Sequence, residues 1–291
     1  MAELLSENTP IVPPPIISTS AQKLTYKIGP FSLPAGQKAL AMWDEPGFIN
    51  FQTDEPLWVI SFEDAIEESN GAALPRNLLH MAILTNRSEN NPLCTEKEVA
   101  NPFIATSAVT EKMELPKGLG YAVLPEDQLD AKVILKNPTA QDFNDVFYKF
   151  TITALPMKTS KNIDDVMPLL LDIDPCDHMP ISLPPKEFTK KEIDFPIPEN
   201  GLLTKAYGLL QNNGIGVSLS ESSGIIWESN AALSEKHEII SLPEFDDPAG
   251  IPLNAGDKIR LSVSYENMDS SWHSDATGAV MAYLKRSDPS P

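Results

Sequence analysis

Four histidines (His80, His178, His237 and His273) and two cysteines (Cys94 and Cys176) are the side chains of this 291-residue chain best suited to metal or nucleophilic chemistry. Their spacing supports little of it. No His-Glu-x-x-His pair is present to hold zinc on a helix. No Gly-x-Ser-x-Gly elbow, P-loop or Gly-x-Gly-x-x-Gly turn occurs either. Cys176 and His178, in "DPCDHMP", form a Cys-x-His pair of soft-metal type, but no further ligand stands at a matching interval. His80 lies in the apolar run "LLHMAIL", where alternation puts Leu78, His80 and Ala82 on one strand face. A lone histidine there is usually a hydrogen-bonded core or boundary residue. His178 and His273, the latter in "SWHSD", fall in turn-like segments and are expected to be exposed. With 41 Asp and Glu residues, some carboxylate pair always looks catalytic, so acids alone identify no site. Asn86-Arg-Ser88 matches the glycosylation sequon, a pattern short enough to arise by chance. Among the tryptophans Trp43, Trp58, Trp227 and Trp272, alternation places Trp58 and Trp227 in the core. Trp272 sits in the turn "DSSWHSD" and is a candidate ligand contact.

The elements that must position these residues are strands. Period-two alternation and β-branched or aromatic runs recur in "LTYKI", "LWVISFEDAIE", "LLHMAILT", "GLGYAVL", "DAKVILK" and "VFYKFTITAL". They return in "PLLLDID", "EIDFPIP", "IGVSLSES", "GIIWES", "HEIISL", "KIRLSVSYE" and "AVMAYLK". Turn chemistry separates them, as in "KNPTAQDFND", "ISLPPKE", "PENG" and "LNAGD". Only stretches such as "SFEDAIEES" have helical character. The 27 prolines against 14 glycines fit short elements joined by stiff turns. Residues 1–22, with "IVPPPI", are expected to form an extended arm, 23–157 a first β-sandwich and 158–291 a second. The division falls at the polar stretch "PMKTSKN". No short-period repeat is visible, which argues against a solenoid or propeller.

The formal net charge of −19 argues against nucleic acid and anionic membrane faces as partners. No run is long and apolar enough for a membrane helix, and the start "MAELLSENTPIVPPPI" lacks a basic n-region and an h-region. Either an intracellular chain or a mature one is expected from that start. One disulfide can be built from Cys94 and Cys176, but no disulfide framework and no zinc knuckle.

The stretch "YGLLQNNG" at 207–214, followed by the alternating "IGVSLSES", reads as a turn entering a strand. Together with "GPFSLPAG", "LPRNLLHMAIL", "ELPKGLGYAV", "ILKNPT" and "LNAGDKIRLSVSYENMDSSWHSDATGAVMAYL", it resembles the copper type II, ascorbate-dependent monooxygenases, the family of peptidylglycine α-hydroxylating monooxygenase. The resemblance covers most of the chain, in the family's order. It implies an all-β fold of two antiparallel jelly-roll-like β-sandwiches in tandem. It also implies a first copper site at Leu79, His80 and Lys136, where the family has two adjacent histidines and a third. A second is implied at Leu209, Gln211 and Thr277, where the family has His-x-His and methionine. By that placement His80 alone survives, and Met281 lies about two strand steps from the methionine position. Leucine offers copper no lone pair and a protonated lysine repels it. The expectation is therefore a non-catalytic, monooxygenase-like scaffold with both copper sites degenerate and no cofactor. By resemblance it is secreted or extracytoplasmic, with a protein or glycan partner. Two alternatives stand beside it. One is a metal-binding protein or oxidoreductase rebuilt around His80 with Lys136, or Cys176 with His178. The other is a jelly-roll glycan-binding or shell protein.

Overall fold

A computed structural model describes residues 21–39, 47–94, 98–176, 181–211, 213–235 and 237–287. The arm at 1–20, Trp43 and His178 lie outside the described residues, and Gln22 already begins the first strand. Among the described residues there are 21 strands and no α-helix. Among these residues no helix is long and apolar enough to cross a membrane.

The first nine strands are β1 (Gln22–Leu33), β2 (Gly47–Phe51), β3 (Leu57–Glu68), β4 (Leu79–Asn90), β5 (Ala100–Thr106), β6 (Lys112–Glu114), β7 (Leu119–Val123), β8 (Leu129–Leu135) and β9 (Phe143–Pro156). They form facing sheets in the orders β1-β9-β3-β7 and β2-β8-β4-β5, with β6 beside β3. The remaining strands begin with β10 (Asp164–Asp172), β11 (Ile181–Leu183), β12 (Phe188–Pro196), β13 (Gly201–Leu210), β14 (Gly214–Glu221) and β15 (Gly224–Asn230). They end with β16 (Ala232–Leu233), β17 (Ile239–Ser241), β18 (Phe245–Leu253), β19 (Lys258–Glu266), β20 (His273–Ala276) and β21 (Gly278–Arg286). Their sheets run β10-β21-β13-β18 and β12-β19-β14-β15. In each half the first and last strands pair within one sheet, β1 with β9 and β10 with β21, and a four-stranded sheet forms the other layer, a jelly-roll-like arrangement; β11-β20 and β16-β17 are separate two-stranded sheets. The chain is all-β.

The two halves repeat each other in detail. In the first, Asn137 Nδ2 reaches the carbonyls of Leu33 (2.8 Å), Pro34 (3.0 Å) and Gln141 (2.7 Å), while its Oδ1 accepts the Thr139 amide (3.0 Å). In the second, Asn267 Nδ2 reaches Leu183 (3.2 Å), Pro184 (2.8 Å) and Ser271 (3.0 Å), and its Oδ1 accepts the Asp269 amide (3.0 Å). The backbone matches as well. Asn137 donates to Gln37 and Gly36 to Thr139, as Asn267 donates to Glu187 and Lys186 to Asp269. Gly36 (φ +72°) and Lys186 (φ +58°) hold the same left-handed position, at a steric cost that lysine bears and glycine does not. A buried amide with this many partners fixes a turn that backbone pairing alone would leave open.

The sheet β10-β21-β13 is covered on both faces. Val166, Leu170, Tyr207, Leu209, Ala279, Met281 and Tyr283 join the core of the first half. Met167, Leu169, Leu171, Ala206, Leu210, Val280, Ala282 and Leu284 fill the second. This double burial explains why "PLLLD" and "GAVMAYL" are continuous apolar runs instead of alternating ones. A short parallel pairing of β10 with β7 (Asp164 opposite Leu119) carries the sheet from one half to the other. Cys94 and Cys176 form a disulfide with Cα atoms 5.6 Å apart, tying the segment after β4 to the segment after β10.

Several local expectations are corrected. "SFEDAIEES" continues β3 as strand to Glu68, paired along its length with β9. "YGLL" is not a turn but the end of β13, and the turn is the short link before Gly214. Gly208 is needed there because a Cβ would come within 2.7 Å of Val217 Cγ1 and also strike Leu242. "ISL" belongs to β11. Asn86 is fully buried, donates to Tyr121 Oη (3.2 Å) and accepts the Ser88 amide (2.9 Å), so the folded chain offers no sequon there.

Candidate functional site

His80 sits where β4 breaks step. The register with β8 shifts between Leu79 and Met81, so His80 occupies a bulge and simple alternation with Leu78 and Ala82 does not hold. The same irregularity recurs in β14, between Gly214 and Gly216, against β19. Lys136 follows β8 directly, its amide bonded to the Leu78 carbonyl (2.8 Å) as the Glu266 amide is to Asn213 (2.8 Å). The fold therefore delivers His80 and Lys136 to neighbouring points on the first half.

From the other half, β13 presents Leu209 and Gln211. The β13–β21 ladder ends with Leu210 opposite Gly278, so Gln211 and Thr277 are the next residues beyond it. All six positions are buried: Leu79 and His80 completely, Lys136, Leu209, Gln211 and Thr277 to within a few per cent. Lys136 Nζ donates to Gln211 Oε1 (2.9 Å), and Gln211 Nε2 donates to the His80 carbonyl oxygen. The two sets of positions are thus joined in one bridge, with the Gln211 amide as its centre. Lys136 does not point to solvent.

The electrostatics follow from burial. Removal from water, and next the nearby Lys136 ammonium, hold the His80 imidazole down at about 3 from its ordinary 6.5. It is neutral at physiological pH. Charging it would bury a second cation beside the first.

These residues do not fit copper. Gln211 spends its amide oxygen on an ammonium and its amide nitrogen on a carbonyl, Leu79 and Leu209 have no lone pairs, and Lys136 brings a positive charge to the spot. Met281 is fully buried within β21 among the shared core residues. Cys176 is consumed by the disulfide, which removes the Cys176–His178 ligand pair. Among the described residues no three His, Cys, Asp or Glu side chains converge as a metal site would require.

Residues that the sequence patterns did not single out complete the contact. Tyr207 Oη donates to the Ala105 carbonyl and Tyr283 Oη to the Phe103 carbonyl, each at 3.0 Å and buried. Both carbonyls belong to β5, the edge of its sheet, so the second half caps an edge that would otherwise bury unpaired acceptors. Burial pushes both phenols up, which keeps them hydrogen-bond donors. The "SLP" shared by 32–34 and 182–184 was the available signal for the duplicated asparagine turns.

The other sequence candidates lie apart from this bridge. Trp272 is 62% exposed, Trp227 is core, and Trp58 is half-buried. His273 begins β20, and its Nε2 lies 2.6 Å from Asp269 Oδ2.

No protein-family model matches the chain, and no curated protein does. Among solved structures, a chain from Sulfolobus Turreted Icosahedral Virus aligns at 9% identity and TM-score 0.38, over 91% of this chain and 89% of that one. A peptide-N(4)-(N-acetyl-β-D-glucosaminyl)asparagine amidase aligns at 9% identity and TM-score 0.41, over 92% of this chain and 98% of that one. At that distance neither neighbour carries a function to this chain.

Proposed function

We propose that this protein is a non-catalytic double jelly roll, monooxygenase-like in its resemblance, that works as a binding or structural scaffold. The observation that carries the reading is the Lys136–Gln211–His80 bridge. A catalytic pair of centres needs open coordination positions and room for substrate between them. Here the corresponding positions meet each other, buried, and brace the two halves. Fold and function separate readily, so a retained scaffold implies no retained chemistry.

Its setting is an oxidising compartment outside the cytoplasm. What supports this is the Cys94–Cys176 disulfide, a bond that persists in secreted and extracytoplasmic proteins and is rare where thiols are kept reduced.

Calorimetric titration of the full chain with copper, in its reduced and oxidised forms, tests the reading. No stoichiometric heat is expected, and the melting temperature should not move on adding copper or a chelator. Tight one- or two-site binding that disappears in His80→Ala would overturn it in favour of a rebuilt metal site.

A further inference from the structure

The duplicated asparagine turns provide an internal control. Their matching hydrogen bonds align Gly36 with Lys186, Gln37 with Glu187, Asn137 with Asn267 and Thr139 with Asp269. By the same alignment Lys38 corresponds to Phe188, Pro138 to Met268 and Asp142 to Trp272. The first turn is surfaced by Lys38, Pro138 and Asp142, all exposed. The second exposes Phe188 (62%), Met268 (45%) and Trp272 (62%). The scaffold therefore does not require large apolar groups at these positions, because an equivalent turn stands without them.

One substitution shows how the position became available. In the first turn Asp142 Oδ1 accepts the Ala35 amide at 2.8 Å. The residue aligned with Ala35 is Pro185, which has no N–H to satisfy. Position 272 is thereby released from a structural duty and carries an exposed tryptophan. Single exposed apolar residues are ordinary, but three around one turn are not demanded by the fold.

We propose that this tip of the second half, formed by Phe188, Met268 and Trp272 around the Asn267 turn, binds a neutral saccharide. A stable protein interface takes roughly 20–30 residues from each side, far more than this tip offers. Two exposed aromatic rings, Phe188 and Trp272, offer faces that suit the apolar C–H faces of one or two sugar rings. The charged groups around the turn are Glu187, Glu266, Asp269 and Lys186, an acidic balance on a chain of net charge −19. That field opposes sulfated or sialylated glycans and anionic membranes, while carboxylates accept hydrogen bonds from sugar hydroxyls. Asp269 is 64% exposed on its side chain and oriented by His273, which places an acceptor beside the apolar surface. The inference deepens the scaffold reading by naming a ligand class and a surface.

A printed array of neutral, sialylated and sulfated oligosaccharides, probed with the labelled full-length chain, tests it. Binding to neutral saccharides is expected, weakened at least roughly tenfold in Trp272→Ala and in Phe188→Ser. Lys38→Ala, at the equivalent place on the first turn, should leave binding unchanged. Matching melting curves would show that the variants fold. A blank array, binding confined to anionic glycans, or binding indifferent to Trp272→Ala would overturn the proposal. So would self-association in solution that Trp272→Ala abolishes, since the tip would then belong to a second copy. The copper titration reads the bridge between the halves and not this tip, so either idea can fail alone.

Discussion

At the scale of single residues, His80 illustrates how burial converts a candidate ligand into a stability determinant. Its folded-state value is depressed to about 3, whereas an unfolded histidine titrates near 6.5. Below 6.5 the unfolded chain takes up a proton that the folded chain refuses, so this contribution to stability is complete above 6.5. It falls as pH drops toward 3, by about 1.4 kcal/mol per pH unit across that window. Urea midpoints followed from neutral pH into the acid range should show this slope. His80→Leu should flatten this part of the profile. Identical pH profiles for the two proteins would mean that His80 titrates normally. The sequence marked His80 and Lys136 through a resemblance, but it could not reveal that Gln211 joins them. A contact between residues 75 positions apart depends on both halves docking.

At the scale of elements, most strands were legible because one face meets the core and the other meets water. The strands that the pattern hides have two causes. β5, "ANPFIAT", contains a proline that an edge strand tolerates, and β18, "FDDPAGIPL", contains two. β13 is buried on both faces, so "KAYGLL" lacks alternation and its end reads as a turn in sequence although it is strand. Leu209 consequently belongs to a strand shared by two cores. The tyrosine caps on β5 give this docking a measurable strength. Tyr283→Phe keeps the ring and removes the donor to the Phe103 carbonyl, at an expected cost of about 1–3 kcal/mol from the buried acceptor left behind. Denaturant unfolding of the variant checks this. A change within experimental error would show that water replaces the phenol and that the contact is not dry.

At the scale of the whole molecule, two jelly rolls are held as one body by a shared sheet, a common apolar core, a disulfide and the buried polar bridge. The tandem all-β arrangement was readable from pattern and length. The duplication of the asparagine turns was not, because the two copies share a hydrogen-bonding role more than a sequence. The scaffold proposed above depends on His80, Lys136 and Gln211 acting as internal bracing between the halves. A double-mutant cycle on Lys136→Met and Gln211→Leu, read as unfolding free energy, tests it most directly. Each single change removes the buried Lys136–Gln211 hydrogen bond from one side, so each should destabilise, and the double variant should cost less than the sum of the two. The expected coupling is about 1–3 kcal/mol. Additive effects, each below roughly 0.5 kcal/mol, would show that the bridge contributes nothing to holding the halves together and would contradict the account.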